Sequence, residues 1–259
     1  MTALEPFPDS GGGSHHDPVS PKPLNVWLRA LVLAGVLGAA AGCGGAGTEP
    51  ARRPDPEPEP EPPPAAATTA TYRVVFEATW SASTHPTNFP GGAHFSPLIG
   101  AVHDEDATFW APEGTATPGI ESMAETGGTG TLTSEIQAEI PEDALAVVNG
   151  SGIRSPGTTT MQAVAVREDF PLVTLVTMIA PSPDWFVGVS GLSLRDAAGD
   201  WIGELEVVLY PYDAGTDSGP SYNSANDDTQ PREPIHSLRG VNPFSDEPIG
   251  TFTFTRTDG

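Results

Sequence analysis

The chain has 259 residues, 34 of them acidic and 11 basic, with 29 glycines, 29 prolines and one cysteine. From Thr71 onward 26 Asp and Glu stand against 7 Arg and no Lys. That balance repels phosphate backbones and sets nucleic-acid binding aside. The single cysteine, Cys43, excludes an intrachain disulfide, so a core must carry stability, with or without help from an ion.

Residues 1–21 are polar and read as disordered. Lys22 and Arg29 then precede the apolar run Leu31–Ala41 and Gly42-Cys43. A basic region, a short apolar segment and small residues before a cleavage point make a secretory signal. The run falls short of the ~20 residues that span a bilayer. Its end resembles the lipobox of bacterial lipoproteins, which implies that Cys43 is the lipidated first residue of the mature protein; Ala40 replaces the usual Leu. The other reading is an ordinary signal peptide with Cys43 incidental. Residues 1–18 are a long, partly acidic lead-in, so translation is read as starting downstream, for example near Val19. Residues 44–70 form a linker in which alternating Pro and Glu favour an extended spacer.

Once leader and linker are set aside, roughly 190 residues remain for one domain over 71–259. Tyr72, Val74, Phe76, Ala78 and Trp80 recur at period two and predict a half-buried strand. His85, His94 and His103 lie at nine-residue intervals that match no compact zinc motif, and no cysteine completes a site. They are read as loop or core histidines. Ile120–Gly127 predicts a short helix, and Thr133–Gly150 one or two more broken at Pro141. Gln162–Val166 is strand-like, and Pro171–Ile179 is an apolar, β-branched strand buried on both sides. Pro183 then fixes Asp184 in a loop at that strand's end. Trp201–Tyr210 alternates again, and Ile249–Arg256 closes the chain as a strand.

After Tyr210 comes Tyr212-Asp-Ala-Gly-Thr-Asp-Ser-Gly219, with two aspartates four residues apart. Carboxylates held that close repel unless a proton or cation lies between them. Calcium takes 6–8 oxygens from such loops. By spacing alone, an Asp/Gly-rich loop of this kind is far more often an ordinary turn. Strands separated by long Pro/Gly connections argue a mainly β protein, a β-sandwich with short helical insertions. No phosphate loop, G-x-S-x-G elbow or H-E-x-x-H motif occurs.

Tyr72-Arg-Val-Val-Phe with Trp80 and Thr84-His85-Pro86 resembles the start of a spondin domain. So do Ile99-Gly100 with His103, Pro181-Ser-Pro-Asp-Trp185 with Val187-Gly188, and Tyr212–Gly219. The resemblance runs from Tyr72 to Arg256. It implies a C2-like antiparallel β-sandwich whose strand-end loops hold Ca2+, with Asp184, Asp213 and Asp217 as the metal ligands. The family's matrix-adhesion roles belong to proteins with paired cysteines and thrombospondin repeats; these 259 residues hold neither, so those roles are not carried over.

The leading expectation is a non-enzymatic, calcium-binding binding or adhesion module with no catalytic residues. It is exported and tethered to a bacterial envelope membrane through Cys43, and takes an unknown protein or glycan ligand. Trp185 and Phe186 are candidates for exposed contact aromatics, with core packing as the alternative. The rival is a metal-dependent envelope hydrolase using the three aspartates with His85 or His103 as base. Calcium activates water poorly beside zinc, and spacing ties neither histidine to the site.

Overall fold

The computed structural model describes residues 68–258; the expected signal segment, Cys43 and all but the last three residues of the expected 44–70 linker lie outside the described residues. In chain order come β1 (Thr69–Ala78), β2 (His94–Phe95), β3 (Ile99–His103), α1 (Pro118–Thr126), α2 (Gly130–Glu139) and β4 (Ala144–Asn149). Then follow β5 (Ile153–Arg154), β6 (Gly157–Arg167), β7 (Leu172–Ala180), β8 (Trp185–Ser193), β9 (Glu204–Leu209), β10 (Tyr212–Asp213), β11 (His236–Ser237) and β12 (Gly250–Arg256).

Two antiparallel sheets make a sandwich. The smaller has the order β6-β1-β12-β9. Alternation places Ala70, Tyr72, Val74, Phe76 and Ala78 of β1 on its inner face, with Phe252 and Phe254 of β12 opposite Phe76 and Val74. Where β1 meets β6 the register slips between Tyr72 and Val74, whose partners are Val164 and Met161. The extra β6 residue turns Gln162 and Ala163 outward and lets both Met161 and Val164 face the core.

The larger sheet runs β11-β10-β8-β7-β2-β5, and β3 joins β7 to β4. Between the sheets Phe76 meets Phe95 and Phe252 edge to face, at 4.9 and 5.1 Å between centroids. The outer face of the larger sheet is covered by α1 and α2, where Ile120, Met123, Leu132 and Ile136 pack with Val176 and Phe186. This third layer is why β7 is apolar at almost every position: it is buried on both faces, as its sequence predicts.

Helix α1 begins where Thr117 accepts a hydrogen bond from the Ile120 N–H and Pro118 opens the first turn, and it ends at Gly127 with φ 69°. Its free N-terminal N–H groups gain a further partner from α2: Glu135 Oε1 accepts from Gly119 N–H at 2.6 Å, and Oε2 from the Thr117 hydroxyl at 2.7 Å.

The helix expected over Thr133–Gly150 needs correction. Only α2 is helical; Ile140, before Pro141, is extended at φ −85° and ψ 132°, and Ala144–Asn149 is strand β4 along β3. The β-branched Val147 and Val148 find a sheet edge there, and tertiary pairing decides the state of so short a segment. Asp184 ends the expected loop, and strand β8 starts at the next residue, Trp185, without a strand signal of its own in the sequence. Among the described residues no helix is long and apolar enough to cross a membrane.

Candidate metal centre

Strands β7 and β8 are joined by Pro181–Asp184, a tight connection in which Ser182 Oγ accepts from Trp185 N–H at 3.1 Å. Asp213 on β10 pairs with Trp185 on β8, and Ala214 N–H donates to the Asp184 carbonyl at 3.2 Å. The ladder thus carries the Asp213–Asp217 loop onto Asp184.

The Asp184 side chain has no exposed surface. Its Oδ2 accepts from Thr216 N–H at 2.8 Å, Asp217 N–H at 3.1 Å and the Thr216 hydroxyl at 3.3 Å, while Oδ1 is buried without a partner. Asp213 Oδ1 accepts from Gly215 N–H at 2.8 Å and Oδ2 from Trp185 Nε1–H at 3.1 Å. Asp217 Oδ1 accepts from Gly219 N–H at 2.7 Å and Oδ2 from Asp227 N–H at 3.3 Å.

Gly215 at φ 73° makes the turn possible, and a Cβ there would lie 2.2 Å from the Glu233 carbonyl oxygen. That carbonyl belongs to a second strap over the loop, tied by Glu233 N–H to the Gly215 carbonyl and by Thr229 N–H to the Thr216 carbonyl, both at 2.9 Å.

Burial, followed by the neighbouring Asp213 charge, pushes the Asp184 carboxyl up to about 7 against the backbone donors that favour its anion. Burial also raises Asp213, opposed by the Gly215 N–H and by His236, its cross-strand partner on β11. Glu125 on α1 is raised by burial, with the nearby Thr216 side chain opposing. Asp184, Asp213 and Glu125 therefore share one partly desolvated corner, with the exposed imidazole of His236 beside Asp213.

The structure brings Asp184, Asp213 and Asp217 to one loop end but does not close them on a point. Among the described residues, the one group of three acidic side chains with ligand atoms all within 4.8 Å is Asp104, Asp106 and Asp143, at the surface. The three site aspartates are instead held apart on separate N–H donors. Trp185, Asp213, Asp217, Glu233 and His236 line one cleft.

Trp185 and Phe186 are core residues, at 4% and 0% exposure, which removes them as contact aromatics. Trp185 packs on Tyr222 and Phe244 at 5.3 and 5.2 Å. His85 bonds with Thr84 Oγ1 and the Glu247 carbonyl, and His103 with Thr174 Oγ1 and the Asp104 carbonyl; neither lines the aspartate cleft. His94 bonds with the Gly92 carbonyl. Glu125, Glu233 and His236 have no signal in the local sequence, because register, helix packing and the strap place them.

Comparison with known proteins places the domain in a family. The family described as Spondin_N matches residues 70–252. Human Spondin-2 is 35% identical over 193 residues, covering 72% of this chain and 57% of that protein. Rat Spondin-1 is 33% identical over 199 residues, covering 71% of this chain and 24% of that protein. The match thus spans a little over half of the first relative's length and about a quarter of the second's. The antiparallel sandwich and the long family match lead to one conclusion: the chain belongs to the spondin domain family.

Proposed function

We propose that this domain is a non-enzymatic binding module whose strand-end loops are organised by Ca2+, held at the envelope surface through a lipid on Cys43. The observation that carries the ion is Asp184 Oδ1, a carboxylate oxygen buried without a donor beside two further aspartates. Such an atom is expensive to bury charged unless a cation meets it.

The donor set fits a hard cation, since it consists of oxygens on short loops. Asp184, Asp213 and Asp217 would hold the ion, with carbonyl groups and water completing its shell. When bound, the ion supplies positive charge that joins the β7–β8 connection to the Asp213–Asp217 loop. The chain's own residues do the remaining work. Thr216 and Asp217 N–H groups orient Asp184, Trp185 Nε1–H and Gly215 N–H orient Asp213, and the Glu233 strap covers the loop from outside. A binding surface shaped by such loops depends on the ion without contacting it.

Immobilised full chain, challenged with solubilised envelope proteins and glycans, tests the reading. Capture of a partner in calcium, reduced in EDTA and in Asp213→Ala, is expected. An empty capture both with and without calcium contradicts a binding role.

A further inference from the structure

In a domain so rich in carboxylates, arginines should be spoken for. From Thr71 onward there are seven, and five are ion-paired: Arg167 with Asp169, Arg195 with Glu168, Arg232 with Glu121, Arg239 with Asp246 and Arg256 with Asp258. Arg73 and Arg154 have no carboxylate partner among the described residues. Arg73 is exposed on the open outer face of the smaller sheet. Arg154 lines a cleft of about 680 Å³, the largest of those described.

Of the clefts described, this one carries basic side chains, Arg154 and His94, without a carboxylate, while the cleft between Asn149 and Gln162 has no charged residue at all. No acidic residue lines the Arg154 cleft, whereas the clefts at Asp104–Asp106, at Glu135 and Glu139, and at Asp213 and Asp217 each carry at least two. Its wall is the short β2–β5 ladder, in which His94 pairs with Arg154 and Phe95 with Ile153. Cross-strand partners share a face, so the imidazole and guanidinium stand side by side, both exposed, while Phe95 turns into the core. His94 Nδ1 donates to the Gly92 carbonyl at 2.9 Å, which fixes the ring beside the arginine. Ile153 and Met178 add an apolar lining.

We propose that this cleft binds a small monocarboxylate, with Arg154 as the anchoring residue. The guanidinium fork matches the two oxygens of a carboxylate and makes paired, charge-assisted hydrogen bonds with them. The cleft's size falls in the range of small-molecule sites. The domain's net negative field narrows the class: a polyanion would be repelled by the surrounding carboxylates, whereas a single carboxylate on a small body pays little for approach. The site shares no lining residue with the aspartate cleft and does not rest on the calcium reading.

Titration of the full chain with sodium glucuronate at constant ionic strength, followed by NMR shifts or calorimetry, tests it. Glucose is the neutral control and heparin the polyanion. Saturable glucuronate binding is expected, weakened about tenfold or more in Arg154→Gln, unchanged in Arg73→Gln, and unchanged by EDTA. Arg154 is exposed, so the variant should fold, and an unaltered melting curve confirms that. Glucuronate binding no better than glucose, equal binding by Arg154→Gln and the parent, or tighter binding of heparin would each overturn the proposal.

Discussion

A carboxylate without exposed surface and with one unpartnered oxygen favours its protonated form, and Asp184 is held that way up to about 7. The sign of the consequence follows from linkage. The folded value lies above the ordinary carboxylate value of about 3.9, so the folded state binds the proton more tightly than the unfolded chain does. Its stabilising contribution is fully present below about pH 4 and is lost as pH rises through about 7. In EDTA the parent protein should therefore lose melting temperature from pH 5 to 8, relative to Asp184→Asn. The Asn variant should show a flatter profile and bind no calcium. A parent profile parallel to that of the variant would show that Asp184 is not strained by ionisation. At this scale the sequence was informative for the three aspartates, because Pro183, Gly215 and Gly219 mark the bends that fix them. It was silent on His236 and Glu125, which reach the corner from β11 and α1.

Elements show the same division between local and distant causes. Strands β1, β7 and β12 could be read directly, since each carries an unbroken period or a continuous apolar run. Strand β8 could not, because Gly188 and Gly191 interrupt its apolar pattern and Pro181–Pro183 suggests a loop. Strand β4 carries Ala, Leu and Val residues that suit helix or strand, and only pairing with the β3 edge decides. The helical layer depends on one side chain whose role is invisible in local sequence. Glu135 of α2 accepts hydrogen bonds from Gly119 and Thr117 at the start of α1. Glu135→Ala should cost about 1–3 kcal/mol in chemical denaturation, from the loss of two hydrogen bonds to a charged acceptor. A change below about 0.5 kcal/mol would mean that water replaces the carboxylate without loss.

The described domain is a sandwich in a chain whose single cysteine excludes an intrachain disulfide, and under the proposal an ion at the loop end would take the place of a covalent bridge. The site is tied to the remaining layers: Trp185 of β8 reaches the inter-sheet core, and Arg232, beside Glu233 in the strap, pairs with Glu121 of α1. An ion joining Asp184 to the Asp213–Asp217 loop would link the larger sheet to the segment between β10 and β11. The account therefore turns on whether calcium binds at these three aspartates. Calorimetric titration of the full chain with calcium chloride, repeated with Asp213→Ala, tests this most directly. Saturable heat for one ion per chain is expected in the parent, and its loss in the variant. No heat in the parent, or equal heat in both, would contradict it.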